Sequence, residues 1–188
     1  RSRIWRKLRG FNQDLFPVER IIRDSAIFKA SPFHNLTTEQ KNARDLIIDR
    51  VIDALLSKKT GQLILVEGEA GSGKTVLLST IFYLISTLKD DGSPLRQGFD
   101  NLKNYVLVNH DEQLKVYEDI INKLNLNYKN DDVVSKPTHF INTHDESDPA
   151  DVVLVDEAHL LWTQGKQAYR GKNQLDDILK RARITVAI

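Results

Sequence analysis

Apolar and polar residues follow one another along this chain in blocks that predict strands interleaved with helices. Four apolar runs have the length and composition of buried strands. They cover residues 62–67, 105–108, 152–155 and 184–188. The segments between them repeat apolar residues at helical spacing and predict helices. These run from a cap at Thr37 or Thr38 to about residue 57, and over residues 75–89, 111–124 and about 174–182. This alternation predicts a three-layer α/β fold, a mostly parallel sheet flanked by helices.

Polar segments separate the predicted elements. Residues 90–103 form a connection, and residues 125–149 a longer one that can hold a short element at residues 138–142. Residues 163–174 carry two glycines and are expected to be a mobile loop. Near the start, residues 20–28 can form a short helix, and residues 1–10 hold five basic residues and no acid. Those basic residues are either a solvated terminus or a contact for a phosphate backbone.

Composition narrows the class of protein. The chain has 188 residues and a net charge of +1, so a nucleic-acid surface would need local clustering of charge. It has no cysteine, which excludes disulfides and thiolate metal sites and favours a cytoplasmic location. We identify neither a run long enough to cross a membrane nor a secretory signal. The absence of methionine and a final strand that ends abruptly lead us to expect a fragment.

The first predicted strand and the helix after it enclose the sequence GEAGSGKT, residues 68–75, which fits the phosphate-binding pattern G-x-x-x-x-G-K-[ST]. Glycines let the backbone approach an anion closely, and loop N–H groups and the helix N-terminus direct positive charge at it. Lys74 can reach the β- and γ-phosphates, and the Thr75 hydroxyl can ligand Mg²⁺. The predicted nucleotide-binding residues here are Gly68, Glu69, Ala70, Gly71, Ser72, Gly73, Lys74, Thr75 and Val76.

A second motif follows the third predicted strand, which ends in Asp156-Glu157-Ala158-His159. Asp156 can hold the hydration shell of Mg²⁺ while Thr75 ligands the metal directly, and Glu157 can polarise the attacking water. Because 82 positions separate Lys74 from Asp156, we expect the two motifs to meet at the carboxyl ends of neighbouring strands. His159 either couples the γ-phosphate to a partner surface or packs under the next loop.

Together the two motifs resemble the first RecA-like domain of a superfamily 1 or 2 helicase. The chain is similar, more narrowly, to the Schlafen-type family of predicted DNA/RNA helicase ATPases, with further likeness in residues 105–110, 155–162 and 173–188. The resemblance implies a RecA-like P-loop ATPase domain over residues 36–188, truncated at its C-terminal end. Residues 1–35 are then an N-terminal basic and helical extension. It also implies ATP and Mg²⁺ as cofactors and DNA or RNA as partner.

Family roles carry over to four further positions. Gln40, in the segment LTTEQ, matches the glutamine that contacts adenine, although the same segment also fits a helix cap. Asn109 and His110 match the place where such enzymes touch a single-stranded backbone, although they also suit the polar end of a buried strand. Trp162 either stacks on a base or fills the base of the following loop.

The resemblance also implies parts that these residues lack. The glutamine motif that senses the γ-phosphate would follow Ile188, and the second RecA-like domain carries an arginine finger worth about 10³–10⁵ in rate. Arg170, Arg181 and Arg183 are the candidates in cis. We therefore expect this chain to hydrolyse ATP slowly and not to translocate. The alternatives are a P-loop ATPase that remodels a protein partner and, less favoured, a small-molecule kinase.

Overall fold

The computed structural model describes residues 35–89, 98–123, 132–165 and 169–188. The predictions for residues 1–34 and 90–97 lie outside these described residues. Within them, five strands form a single parallel sheet in the order β1-β5-β4-β2-β3. The strands are β1 (Gln62–Leu65), β2 (Asn104–Leu107), β3 (Val134–Ser135), β4 (Ala150–Val155) and β5 (Ala182–Ala187).

The described part of the chain has five α-helices, of which the first precedes β1 and the others lie between strands. They are α1 (Thr38–Ser57), α2 (Lys74–Ser86), α3 (Asp111–Lys123), α4 (Pro137–Thr143) and α5 (Gln174–Lys180). Two short 3₁₀ turns cover Phe99–Asn101 and Ala158–Leu160. Among the helices described, none combines the length and the apolar character that a membrane span requires.

Two apolar cores lie on opposite faces of the sheet. Helices α1, α2 and α3 pack on one face, where Val51, Phe82 and Ile120 are buried. Helices α4 and α5 cover the other face through Phe140 and Ile178. The predicted three-layer, RecA-like α/β fold with a parallel sheet between helices is therefore confirmed.

The strand order corrects one expectation about the site. Strands β1 and β4, which precede the two motifs, are not neighbours, because β5 pairs with both of them. Parallel strands lie about 4.8 Å apart, so the ends of β1 and β4 are roughly 10 Å from each other.

The other differences concern strands at the edges of the sheet. Strand β1 was expected to be buried, but it forms one edge, and Leu63 and Leu65 are 42% and 60% exposed. Every second side chain of β1, at Gln62 and Ile64, is partly buried, and the two leucines between and after them are exposed. Strand β3, at the opposite edge, lies inside a segment predicted to be a connection. A strand of two residues has too little periodicity to be detected from sequence.

Candidate nucleotide-binding site

The segment that matches the phosphate-binding pattern, residues 68–75, joins β1 to α2 and is called the phosphate loop below. Gly73 is the N-cap of α2 and has φ 82°, in the left-handed region that favours glycine. Lys74 begins the helix, and its Nζ donates to the carbonyl oxygens of Gly68 at 2.8 Å and Glu69 at 2.9 Å. An ammonium group has three donors, so one remains for a phosphate oxygen.

Gln40 lies against this loop, 32 residues away in sequence. Its Nε2 donates to the carbonyl of Ser72 at 2.7 Å. Its Oε1 accepts from the Thr37 N–H at 2.9 Å, while the Thr37 hydroxyl accepts from the Gln40 N–H at 3.2 Å. This capping box starts α1 and ties its first turn to the phosphate loop. Both ends of the Gln40 amide are thus held by the protein, and adenine contact by this residue stays a prediction.

Gly73→Ala should perturb this loop more than an ordinary glycine substitution does. A Cβ at position 73 would collide with Nε2 of Gln40, besides the strain of a positive φ. We expect the free energy of unfolding to fall by about 2 kcal/mol, half of it from strain and half from the displaced Gln40. ATP affinity should fall about tenfold because the loop shifts.

The control is Gly98→Ala, which has a similar φ of 87° but no described atom within 4 Å of the added Cβ. It should lose about 1 kcal/mol and bind ATP normally. Urea titration measures the free energy of unfolding, and equilibrium binding measures ATP affinity. Equal losses of both in the two variants would contradict the role given to Gln40.

The acidic half of the site begins directly after β4. Asp156 is 1% exposed, and its two carboxylate oxygens have different partners. Oδ1 accepts from the Glu157 N–H at 3.0 Å, and Oδ2 accepts from the Tyr117 hydroxyl at 3.1 Å. The Thr75 hydroxyl lies near enough to this carboxylate to lower its pKa. The threonine of the phosphate loop and the aspartate of the acidic strand, which the sequence predicted as magnesium ligands, are therefore adjacent.

Burial shifts the pKa values of both Asp156 and Tyr117. It raises the pKa of Asp156 above its ordinary value, although hydrogen bonds from Tyr117 and the Glu157 N–H, and the nearby Thr75 hydroxyl, oppose the rise. Burial, followed by the charge of Asp156, raises the pKa of Tyr117 well above its ordinary value, so this hydroxyl stays a donor. A desolvated carboxylate beside a hydroxyl is a strong attractor for a hard cation.

The donor set fits Mg²⁺ bound together with a nucleotide. The side chains of Thr75 and Asp156 carry oxygen donors, which this ion prefers. In the described part of the chain, no group of three or more His, Asp or Glu side chains could hold a metal on its own. Magnesium in such sites commonly uses one or two protein groups and takes its remaining ligands from phosphate and water.

Glu157 has an uncommon backbone conformation. Its φ of 53° lies in the left-handed region, which costs a residue with a Cβ about 1–2 kcal/mol. Its side chain is 38% exposed, and Oε2 lies 3.4 Å from Nδ1 of His159, which is 71% exposed. His159 therefore does not pack under the following loop. Strain of this kind concentrates at functional positions, which is consistent with the predicted role of Glu157.

The phosphate loop and the acidic residues open into one cavity of about 1090 Å³. Helix α3 forms part of its wall through Gln113, Val116 and Tyr117. The Oε1 of Gln113 is buried and has no hydrogen-bond partner among the described residues. The sequence predicts a helix over residues 111–124 but does not assign Tyr117, which lies in it, to the site. The available signal was its hydroxyl, because a buried tyrosine needs a polar partner.

The three residues predicted to touch nucleic acid lie in different environments. Asn109 follows β2, and its Nδ2 is buried without a partner among the described residues. His110 is exposed beside it. Trp162 is half-buried against the core that α4 and α5 cover, and its backbone N–H donates to Oε1 of Gln174 at 2.9 Å. The Trp162 side chain thus packs against this core, and stacking of Trp162 on a base stays a prediction.

The loop expected to be mobile is anchored at the residues described. Tyr169 is 3% exposed, and its hydroxyl donates to Oδ2 of Asp177 at 2.6 Å. Gln174 is 2% exposed and also donates to the Thr138 hydroxyl at 3.0 Å. These contacts fix the start of α5, whose first turn reaches the cavity through Leu175.

The candidate arginines divide by position. Arg183 lies at the amino end of β5 and Arg181 directly before that strand, at the opposite end of the strands from the cavity. There they pair with Glu146 and Asp151, both at 3.2 Å. A six-residue strand is about 20 Å long, which puts both arginines out of reach of a nucleotide in this chain. Arg170 is exposed in the segment before α5.

Comparison with known proteins identifies a matching family and one similar protein. Residues 61–188, more than half of the chain, match the model of the family described as Schlafen group 3, DNA/RNA helicase domain. The chain is also 31% identical over 161 residues to the "Uncharacterized protein YPL245W" of Saccharomyces cerevisiae. That alignment covers 81% of this chain and 35% of the yeast protein, so the chain spans about a third of this relative's length. No solved structure gives a significant match.

Proposed function

This chain belongs to the Schlafen group 3 family of DNA/RNA helicase domains, and from that premise we propose that it binds and hydrolyses Mg-ATP in a manner coupled to DNA or RNA. The observation that carries the proposal is the single cavity between the phosphate loop and Asp156-Glu157. Its volume of about 1090 Å³ suits a nucleotide.

The chain's own residues have distinct roles in this proposal. The backbone N–H groups of the phosphate loop and the first turn of α2 bind the phosphates, and Lys74 binds their outer oxygens. Thr75 and Asp156 would hold Mg²⁺, which neutralises phosphate charge when it is bound. Glu157 orients the attacking water and accepts its proton. The contact of Glu157 with His159 at 3.4 Å supports a coupling role for this histidine at the mouth of the site.

We place nucleic acid at the carboxyl ends of β2 and β3. Asn109 offers a buried, unpartnered amide donor there, and His110 offers an exposed ring beside it. Lys136, which follows β3 and pairs with Asp111 at 2.7 Å, adds a cation at the same edge. Such groups bind the backbone of a strand and would respond to salt.

Single-stranded RNA and DNA should each be tested for stimulation of the ATPase rate of the full-length protein. We expect stimulation severalfold by at least one of them, and His110→Ala should weaken nucleic-acid binding about threefold to tenfold because one exposed contact is lost. Lys59→Ala, an exposed lysine at the opposite end of the sheet, is the matched control and should bind normally.

If nucleic acid neither stimulates the ATPase rate nor binds at low salt, the nucleic-acid part of the proposal is refuted. That result would favour an ATPase that acts on a protein. ADP formed without free phosphate would indicate a kinase instead.

A further inference from the structure

Helix α3 brings one hydroxyl into the acidic half of the site. Tyr117 is 1% exposed, and its hydroxyl donates to Oδ2 of Asp156 at 3.1 Å. The two residues are 39 positions apart, so the contact joins separate elements, α3 and the end of β4. The rest of the Tyr117 side chain packs in the core that α1, α2 and α3 cover. The hydroxyl is therefore the one part of this side chain that acts on the site.

The Tyr117 hydrogen bond is one of two that hold the Asp156 carboxylate in place. The Glu157 N–H holds the other oxygen at 3.0 Å. With a donor on each oxygen, the carboxylate cannot rotate freely, and each oxygen keeps a lone pair for another partner. The remaining neighbour is the Thr75 hydroxyl, the other predicted magnesium ligand.

A second hydroxyl connects the same tyrosine to the helix after the phosphate loop. Ser79 is fully buried, lies near enough to Tyr117 to lower the pKa of that hydroxyl, and donates its own proton to the carbonyl of Thr75 at 2.9 Å. Ser79 and Thr75 are one helical turn apart on α2. Tyr117 thus contacts both elements that carry the predicted ligands, and a shift of α3 would alter their relative positions.

We propose that Tyr117 is a positioning residue for magnesium, which fixes the Asp156 carboxylate against Thr75. The proposal rests on the proposed function, in which these two residues hold Mg²⁺. A purely structural tyrosine would support the core but leave the magnesium dependence of nucleotide binding unchanged. The two roles therefore differ in a measurable quantity, the Mg²⁺ concentration that gives half-maximal tightening of ATP binding.

Tyr117→Phe in the full-length protein is the test, with binding of a fluorescent ATP analogue titrated against Mg²⁺ and in EDTA. The half-saturating Mg²⁺ concentration should rise about tenfold, since a hydrogen bond to a charged group is removed. Affinity in EDTA should stay within about twofold, because the phosphate loop is untouched. Tyr105→Phe, another buried tyrosine in the opposite core, is the control and should match the wild type.

An unchanged magnesium dependence in Tyr117→Phe, or an equal loss of affinity with and without Mg²⁺, would overturn the proposal. If this variant unfolds, 3-fluorotyrosine at position 117 provides a second measurement. Its fluorine resonance should shift when Mg²⁺ is added to the ATP-bound protein, and no shift would again overturn the proposal. Failure of the proposed function has a different signature, in which Asp156→Asn leaves the magnesium dependence unaltered.

Discussion

Lys74→Ala is expected to weaken ATP binding by about 100-fold or more. The lysine is the only residue of the phosphate loop with a cationic side chain. Its Nζ already lies at the mouth of the loop, within 2.9 Å of two loop carbonyls. Lys74 has one donor left for a phosphate oxygen, and a charge-assisted hydrogen bond of this kind is worth about 1.5–3 kcal/mol. Its loss, together with the lost attraction of the ammonium charge for the phosphates, accounts for the weaker binding.

The measurement is equilibrium binding of ATP, with urea unfolding in parallel. The free energy of unfolding should change by less than about 1 kcal/mol, because the carbonyl contacts of Lys74 are exposed to solvent. Lys59→Ala, an exposed lysine far from the loop, controls for the loss of one positive charge. Near-normal ATP binding by Lys74→Ala would refute the assignment of the nucleotide site itself.

Glu157→Gln should separate binding from hydrolysis. We expect the ATPase rate to fall by about 10²–10⁴, because the amide cannot accept a proton from the attacking water. ATP affinity should remain within about threefold of the wild type, since Lys74 and the loop N–H groups are intact. The strained backbone at position 157 is unaffected by an isosteric side chain, so stability should be preserved.

A single-turnover assay of phosphate release is the best measurement, because it isolates the chemical step from product release. Glu118→Gln, an exposed glutamate on α3, is the matched control and should retain the wild-type rate. A wild-type rate in Glu157→Gln would exclude Glu157 as the base and direct attention to His159 or to a group supplied by a partner.

Local sequence predicted most of the elements that build the site. The capping box at Thr37 and Gln40, the strand before the phosphate loop and the helix after it all occur where their patterns indicate. Each of these features depends on residues a few positions apart, so the chemistry that fixes them is visible in a short window. The two motifs also indicated a shared site, and one cavity contains both.

Contacts between distant residues were harder to predict. Nothing in the apolar pattern places β5 between β1 and β4, because several orders of a parallel sheet bury the same apolar runs. The same difficulty applies to Gln40, whose hydrogen bond to Ser72 spans 32 residues. It also applies to Arg181 and Arg183, which lie at the opposite end of the strands from the cavity. These placements depend on which strands pair.

By itself, then, the sequence determined a phosphate loop between strand and helix, an acidic strand end and a layered α/β fold. Only the tertiary structure decided that Thr75 and Asp156 are adjacent and that the Tyr117 hydroxyl supports that aspartate. The physical reason is that a motif acts through consecutive backbone groups, whereas a carboxylate is oriented by whatever donors the packed elements bring to it.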